Sequence, residues 1–151
     1  MKKFCFSILL CVATLTLHAQ TSDEAAVKRT IEQFFDGMRR ADSSLVRSTL
    51  LEGAHLESIV KNPEGQVSVR TDSFEGFLKR VASAPAGELD ERLSRIEVRH
   101  DGDLATAWTP YQFFYKGAFS HCGFNSFRLI RTPQGWKIWS VIDTRRKDNC
   151  E

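Results

Sequence analysis

DLATAWTPYQFFYKGAFSHCGFNSFRLIRTPQGWKIWSVIDTRR, residues 103–146, is the stretch whose reading decides the fold. It holds three long runs rich in Trp, Phe and Tyr, residue types that suit a pleated, half-buried surface. Leu104 to Tyr115 ends at Lys116-Gly117, Phe119 to Arg131 ends at Thr132-Pro133-Gln134-Gly135, and Trp136 to Arg145 finishes the series. Upstream, Leu89 to His100 has the same period of two and stops at Asp101-Gly102. Turn signals at these intervals predict four consecutive antiparallel strands forming a meander.

Before position 85 the periodicity is helical. Ala26, Val27, Thr30, Ile31, Phe34, Phe35 and Met38 recur at steps of three and four, after a cap at Ser22 or Asp23. Asp42-Ser43 starts a second helix carrying Leu45, Val46, Leu50 and Leu51. A hairpin follows, His55 to Val60 and Gln66 to Arg70, across Lys61-Asn62-Pro63-Glu64-Gly65. Thr71-Asp72-Ser73 caps a third helix with Phe74, Phe77, Leu78 and Val81, which stops at Ala84-Pro85-Ala86-Gly87. Helices segregated from an antiparallel sheet define the α+β class.

The ends bound where such a domain works. Met1-Lys2-Lys3, the uncharged run Phe4 to Leu17 and the small-residue site at Ala19 read as a secretory signal peptide spanning 1–19. That run is shorter than the roughly 20 residues a spanning helix needs, so no membrane association is expected after cleavage. Neither Cys5 nor Cys11 follows a small residue, as a lipoprotein signal requires. Loss of Lys2 and Lys3 leaves 19 basic groups against 19 acidic ones, so residues 20–151 are neutral and carry no nucleic-acid footprint. Their length suits one domain. Cys122 and Cys150 enter an oxidising compartment, periplasmic or extracellular, where a disulfide persists; spacing alone leaves their pairing open.

The helix pair, hairpin, third helix and long meander closing on Gly135-Trp136-Lys137-Ile138 resemble the nuclear transport factor 2 superfamily, including its SnoaL-like members. The resemblance covers Asp23 to Arg146. His121-Cys122-Gly123, Phe127-Arg128-Leu129 and Asp143-Thr144-Arg145-Arg146 are further similar to secreted bacterial members of unsettled activity. It implies a cystatin-like cone in which three N-terminal helices pack on a curved antiparallel sheet. A cavity at the open end and a homodimer are implied too. Ketosteroid isomerases and scytalone dehydratases of this superfamily combine an Asp or His base with Tyr or acidic donors. Tyr111, Tyr115, Asp72, His121 and Asp143 are available here, but their spacing matches neither enzyme, so no catalytic role carries over.

Register then assigns faces. With Gly117-Ala118 and Pro133-Gln134 centring the last two turns, one face carries Trp108, Gln112, Phe114, His121, Asn125, Phe127, Leu129, Ile138 and Ile142. Phe34, Phe35 and Met38 complete the wall of the expected pocket. The opposite face carries Tyr111, Phe113, Tyr115, Cys122, Phe124, Arg128, Trp139, Val141, Asp143 and Arg145, and is expected to form the homodimer interface. A bulge would flip part of either set.

Two residues are candidates for acid/base work. His121, among Trp108, Phe114 and Gln112, could titrate near neutral pH, against the alternative of a satisfied histidine at a strand start. Asp143, beside Trp139 and Tyr111, could act as a base, against an ion pair with Arg145 or Arg128. There is no Gly-rich phosphate loop, His-Glu-x-x-His helix, Cys-x-x-Cys pair or Gly-x-Ser-x-Gly elbow, and His55, His100 and His121 fall in separate segments. No metal or cofactor is expected. These features favour an exported domain binding a small apolar molecule in the cone. The alternatives are a cofactor-independent lyase, isomerase or hydrolase using His121 or Asp143, and a protein-interaction module.

Overall fold

The computed structural model describes the backbone from Cys5 and the side chains from Ser22 to Glu151, so residues 1–4 of the leader expected at 1–19, and all of that leader's side chains, lie outside the described residues. The helices are α1 (Cys5–Arg39), α2 (Ser43–Ser48) and α3 (Phe74–Ser83). The strands are β1 (Leu50–Lys61), β2 (Val67–Asp72), β3 (Leu89–Leu93), β4 (Glu97–Asp101), β5 (Leu104–Tyr115), β6 (Ala118–Thr132) and β7 (Gly135–Thr144). They form one sheet ordered β2-β1-β7-β6-β5-β3, with β4 also paired to β5. Among the described residues only the β1/β7 pairing is parallel. The expected α+β cone is therefore present.

Local chemistry sets the element ends. The Asp42 side chain accepts from the Leu45 amide at 2.9 Å and Ser73 from the Gly76 amide at 3.1 Å, each satisfying an orphan donor of a first turn. Leu50 and Leu51, expected on the second helix, open β1 instead, because Thr49 caps α2 and hands its carbonyl to the Ile138 amide. The strand expected over Leu89–His100 is split into β3 and β4. The Ser94 amide reaches the Pro110 carbonyl across the break, and Pro110 has no N–H to return.

The core lies between α1 and the concave face of the sheet. Val27, Ile31, Phe34, Phe35 and Met38 form one helical stripe, and all are buried. They meet Ala105, Ala107, Phe127, Leu129, Ile138 and Val141, with Phe127 edge-on to Phe35 at 6.0 Å and 90°. Each fully buried large side chain contributes roughly 1.5–3 kcal/mol. The small Ala105 and Ala107 leave room for α1 to approach the sheet.

Register differs from expectation on two of the three long strands. Tyr115 pairs with Ala118, so the turn centres on Lys116-Gly117, with φ of 53° and 78°. Positive φ at both central residues is the type I′ hairpin, whose twist matches the strands. Centring the turn on Gly117-Ala118 places glycine first, as a II′ turn would. Moving the turn centre by one residue slides the pairing by two and keeps parity; the bulge at Ser120, between the Phe114–Phe119 and Phe113–His121 pairs, is what turns β5 over relative to the rest of β6. Trp108, Gln112 and Phe114 therefore face outward, and Tyr111 and Phe113 face inward. The β6/β7 turn is where expected, and Leu129 pairs with Ile138. Trp139 then bulges out, so Arg128 pairs with Ser140 and Asn125 with Asp143. Beyond that bulge Val141, Asp143 and Arg145 turn inward and Ile142 turns outward.

Candidate functional site

A cavity of about 530 Å³ opens between the helices and the concave sheet. Its apolar wall comes from α1, where Phe34, Phe35 and Met38 follow the helical stripe, and from Phe77 on α3 and Phe113 on β5. Phe34 and Phe77 stack with ring centres 5.7 Å apart, which fixes a flat aromatic surface. The far wall is polar, with Glu91, His121, Asn125, Asp143 and Arg145 reaching in from β3, β6 and the end of β7. Arg70, Asp72 and Arg80 stand on the same cavity, both guanidiniums on Asp72 Oδ2 at 3.4 and 3.8 Å.

The polar wall is a connected network. Tyr111 Oη lies 2.9 Å from Asp143 Oδ2 and 3.0 Å from the Thr144 carbonyl, so its one proton is shared between two acceptors. Arg145 Nε donates to the same Asp143 Oδ2 at 2.8 Å, and Arg145 Nη2 donates to Ser58 Oγ at 2.9 Å. Asn125 Nδ2 donates to Glu91 Oε1 at 2.8 Å and to Thr109 Oγ1 at 3.3 Å. Asp143 Oδ1 is buried with no hydrogen-bond partner. A buried unsatisfied polar atom costs about 1–3 kcal/mol, more when charged.

Gly123 makes the network geometrically feasible. It pairs with Tyr111, and a Cβ there would stand 1.8 Å from the Thr144 carbonyl oxygen and 3.1 Å from the Tyr111 ring. Only a residue without a side chain lets Tyr111 cross β6 to reach Asp143.

Electrostatics differentiate the titratable groups. Burial pushes the Glu91 carboxyl up to about 8, opposed by the Asn125 hydrogen bond and reinforced by the nearby Asp143 charge. The residue keeps some accessible surface on the cavity side, but the protein around its carboxyl is dense enough to favour the neutral acid. Burial lowers His121, with Arg145 adding to the effect against Asp143, so the imidazole is neutral at neutral pH. Burial, Asp143 and Glu91 raise the Tyr111 phenol, which stays a donor. An uncharged acid and an uncharged base thus share one cavity with an ion pair.

Of the residues singled out from sequence, Phe34, Phe35, Met38, His121, Asn125 and Asp143 line this cavity. Phe127 lies beneath it, fully buried. Trp108, Gln112 and Phe114 do not belong to it. Trp108 is 45% exposed and stacks on Phe124, Phe114 meets Phe119 and Arg92, and Gln112 Nε2 donates to the Glu151 carbonyl. The surroundings expected for His121 are corrected accordingly: Phe113 at 5.1 Å and Tyr111 at 5.7 Å replace Trp108 and Phe114, and Ser120 Oγ is 3.0 Å from Nδ1. Asp143 carries the expected ion pair, with Arg145 as partner, on the inner rather than the outer face. Arg128 bonds Ser140 instead. Cys122 and Cys150 are joined as a disulfide. Among the described residues no three His, Cys, Asp or Glu side chains form a metal-binding group, and no helix is long and apolar enough to cross a membrane.

Glu91 was not singled out, although a signal existed. It sits between Leu89 and Leu93 at strand spacing, so an acid occupies the apolar side of that strand. Arg70 and Arg80 carried no comparable signal, since only the third dimension brings β2 and α3 to the same opening.

Comparison with known proteins agrees with this architecture. A solved nuclear transport factor 2-like protein with a cystatin-like fold from Novosphingobium aromaticivorans superposes with a TM-score of 0.65 at 16% identity, over 89% of this chain and 87% of that one. A protein of unknown function from Mycobacterium tuberculosis gives 0.68 at 12% identity, covering 88% and 77%. A Streptomyces avermitilis protein described as a "putative dehydratase" of the nuclear transport factor 2-like family gives 0.64 at 19%, covering 86% and 99%. No curated protein matches the chain. At these identities the likeness speaks for the fold alone. The family model described as "Putative lumazine-binding" matches residues 22–141. The chain belongs to that family, and its fold is the one seen in nuclear transport factor 2-like proteins.

Proposed function

We propose that this protein is a small-molecule-binding domain whose cone cavity takes a flat, largely apolar ring system with a polar edge. The observation that carries this reading is a cavity of about 530 Å³ with stacked phenyl rings on one wall and a buried hydrogen-bonding network on the other. Ligand sites are commonly apolar hollows of this size with a few placed polar groups. The family description adds support, because lumazine is itself a fused two-ring heteroaromatic with an imide edge. The test is calorimetric titration with lumazine and related flat bicycles. Saturable one-to-one binding is expected, weakened at least about tenfold by the cavity-filling Leu89→Trp with the fold retained. Absence of saturable binding by any such ring, or unchanged binding to Leu89→Trp, rejects the reading.

A second reading is favoured by one observation, the neutral Glu91 acid and the neutral His121 base within one cavity. Two groups whose environments push their proton affinities apart suit proton transfer. The domain would then be a cofactor-independent lyase, isomerase or hydrolase using His121 or Asp143. Turnover that survives replacement of His121, Asp143 and Glu91 together would reject it.

Two further properties complete the proposal. The protein is exported with residues 1–19 removed, which mass spectrometry of the native chain checks by an N-terminus at Gln20. It forms a homodimer through the outer sheet face, where Trp108 and Phe119 are 45% and 44% exposed. Monomeric elution at micromolar concentration with light scattering would sink the dimer. If the same face instead serves as an interaction module for another exported protein, a stoichiometric partner will copurify.

A further inference from the structure

One carboxyl on the cavity wall lacks the partner its chemistry calls for. Asp143 is buried, and its Oδ2 takes both Tyr111 and Arg145, while Oδ1 has no hydrogen-bond partner. Because Tyr111 and Arg145 hold one oxygen, the carboxylate cannot turn to satisfy the other. Glu91 has the opposite character. Its Oε1 accepts from Asn125, so the proton of its acid form sits on Oε2 and makes that atom a donor. Asn125 stands between the two carboxyls, opposite Asp143 in the strand register and bonded to Glu91. Both acids line the same cavity as the stacked Phe34 and Phe77 rings.

We infer that Asp143 and Glu91 read a cyclic amide or imide edge, Asp143 Oδ1 accepting the ring N–H and Glu91 donating to the adjacent carbonyl oxygen. This rests on the binding reading above and names the chemical class within it. A donor next to an acceptor on a flat ring is the complement of an acceptor and a donor flanking one amide. A carboxylate-bearing ring would meet Asp143 with like charge, and a hydrocarbon would leave Oδ1 unpaired, so both are disfavoured. Arg145 and Tyr111 fix Asp143, and Asn125 fixes Glu91; these three are positioning residues.

The Glu91 arm makes recognition depend on pH. The groups around it are Asp143 at the end of β7, Arg145 just beyond that strand, His121 on β6 and Tyr111 on β5. Arg70, Asp72 and Arg80 occupy the remaining polar wall. Tyr111 is pushed up and His121 down, away from the window near pH 8 in which Glu91 loses its proton. Above that window the donor becomes an anion and the carbonyl loses its partner, so affinity falls as pH rises.

The experiment uses calorimetry with isoquinolin-1-one, a flat bicyclic lactam that does not titrate in this range, and its N-methyl derivative. The lactam is expected to bind at least about tenfold more tightly than the N-methyl form at pH 7, and about tenfold less tightly at pH 9.5 than at pH 7. Glu91→Gln keeps a donor that cannot ionise, so its binding curve is expected to be flat with pH. In Asp143→Asn the amide oxygen is held by Arg145 and Tyr111, leaving NH2 where Oδ1 stood, and the preference for N–H over N-methyl is expected to vanish. Thermal melting of each variant confirms that it is folded. Equal affinity for the two probes overturns the edge assignment and leaves the binding reading standing. A preference for the lactam that persists in Asp143→Asn overturns the role of Asp143, and pH dependence that persists in Glu91→Gln overturns that of Glu91. Binding of neither probe overturns the inference together with the reading beneath it.

Discussion

The two faces of the β5, β6 and β7 sheet are about equally aromatic and behave differently. The inner face sets Phe113, Phe127 and Tyr111 beside a buried row of Asn125, Asp143 and Glu91, and the polar groups there mostly satisfy one another. The outer face stacks Trp108 on Phe124 and sets Phe114 edge-on to Phe119, and leaves much of that surface in water. Aromatic content alone therefore does not mark a pocket. Buried polar groups, which are expensive unless paired, do so better. The outer face is also partly covered at one end by the C-terminal tail, held by the Cys122–Cys150 bond, by Glu151 on Arg95 and by Gln112 on the Glu151 carbonyl.

Substitutions can sharpen or break this contrast. The largest effect is expected on the inner side: Phe127→Ala removes a ring with no exposed surface and should cost about 3–5 kcal/mol, read by denaturant unfolding. On the outer side, Cys150→Ser opens a loop with sequence separation 28 and should cost about 2–4 kcal/mol while leaving cavity binding in place. If Cys150→Ser abolished binding, the two faces would not be separable. Glu91→Gln probes the inner face by pH. The folded-state affinity of Glu91 for its proton is raised, so its contribution to stability is present below its ordinary value near 4.5 and is lost as pH rises toward 8. The wild-type protein is expected to lose stability across that window, and Glu91→Gln to lose less, as followed by melting temperature. The smallest effect is expected from Phe119→Ser on the exposed outer row, within about 0.5 kcal/mol for the isolated chain. A much larger loss there would mean that the outer face is covered in solution, in line with the proposed dimer.

The asymmetry also explains why some site residues were legible beforehand and others were not. Phe34, Phe35 and Met38 followed from helical spacing, because only one stripe of α1 can meet a core. Asn125 and His121 followed from strand alternation on β6, the strand whose parity was read correctly. Trp108, Gln112 and Phe114 were misplaced together, since one residue of slip inverts a whole strand. Asp143 went with the wrong face because the bulge at Trp139 shifts the phase of every pair beyond it. Glu91 could have been noticed between Leu89 and Leu93.

Alternation, turn residues and helical spacing, all local properties, determined from the sequence by itself the order of the helices and long strands and the α+β class. They determined also that β6 turns His121, Asn125 and Phe127 to one side. Tertiary structure alone decided which residues of β5 and β7 join them. That choice hangs on the bulges at Ser120 and Trp139, each of which adds one residue to a strand and inverts the faces beyond it. The competing registers keep nearly the same local preferences and differ in what the whole sheet buries, so the energy that separates them exists only once α1 has packed.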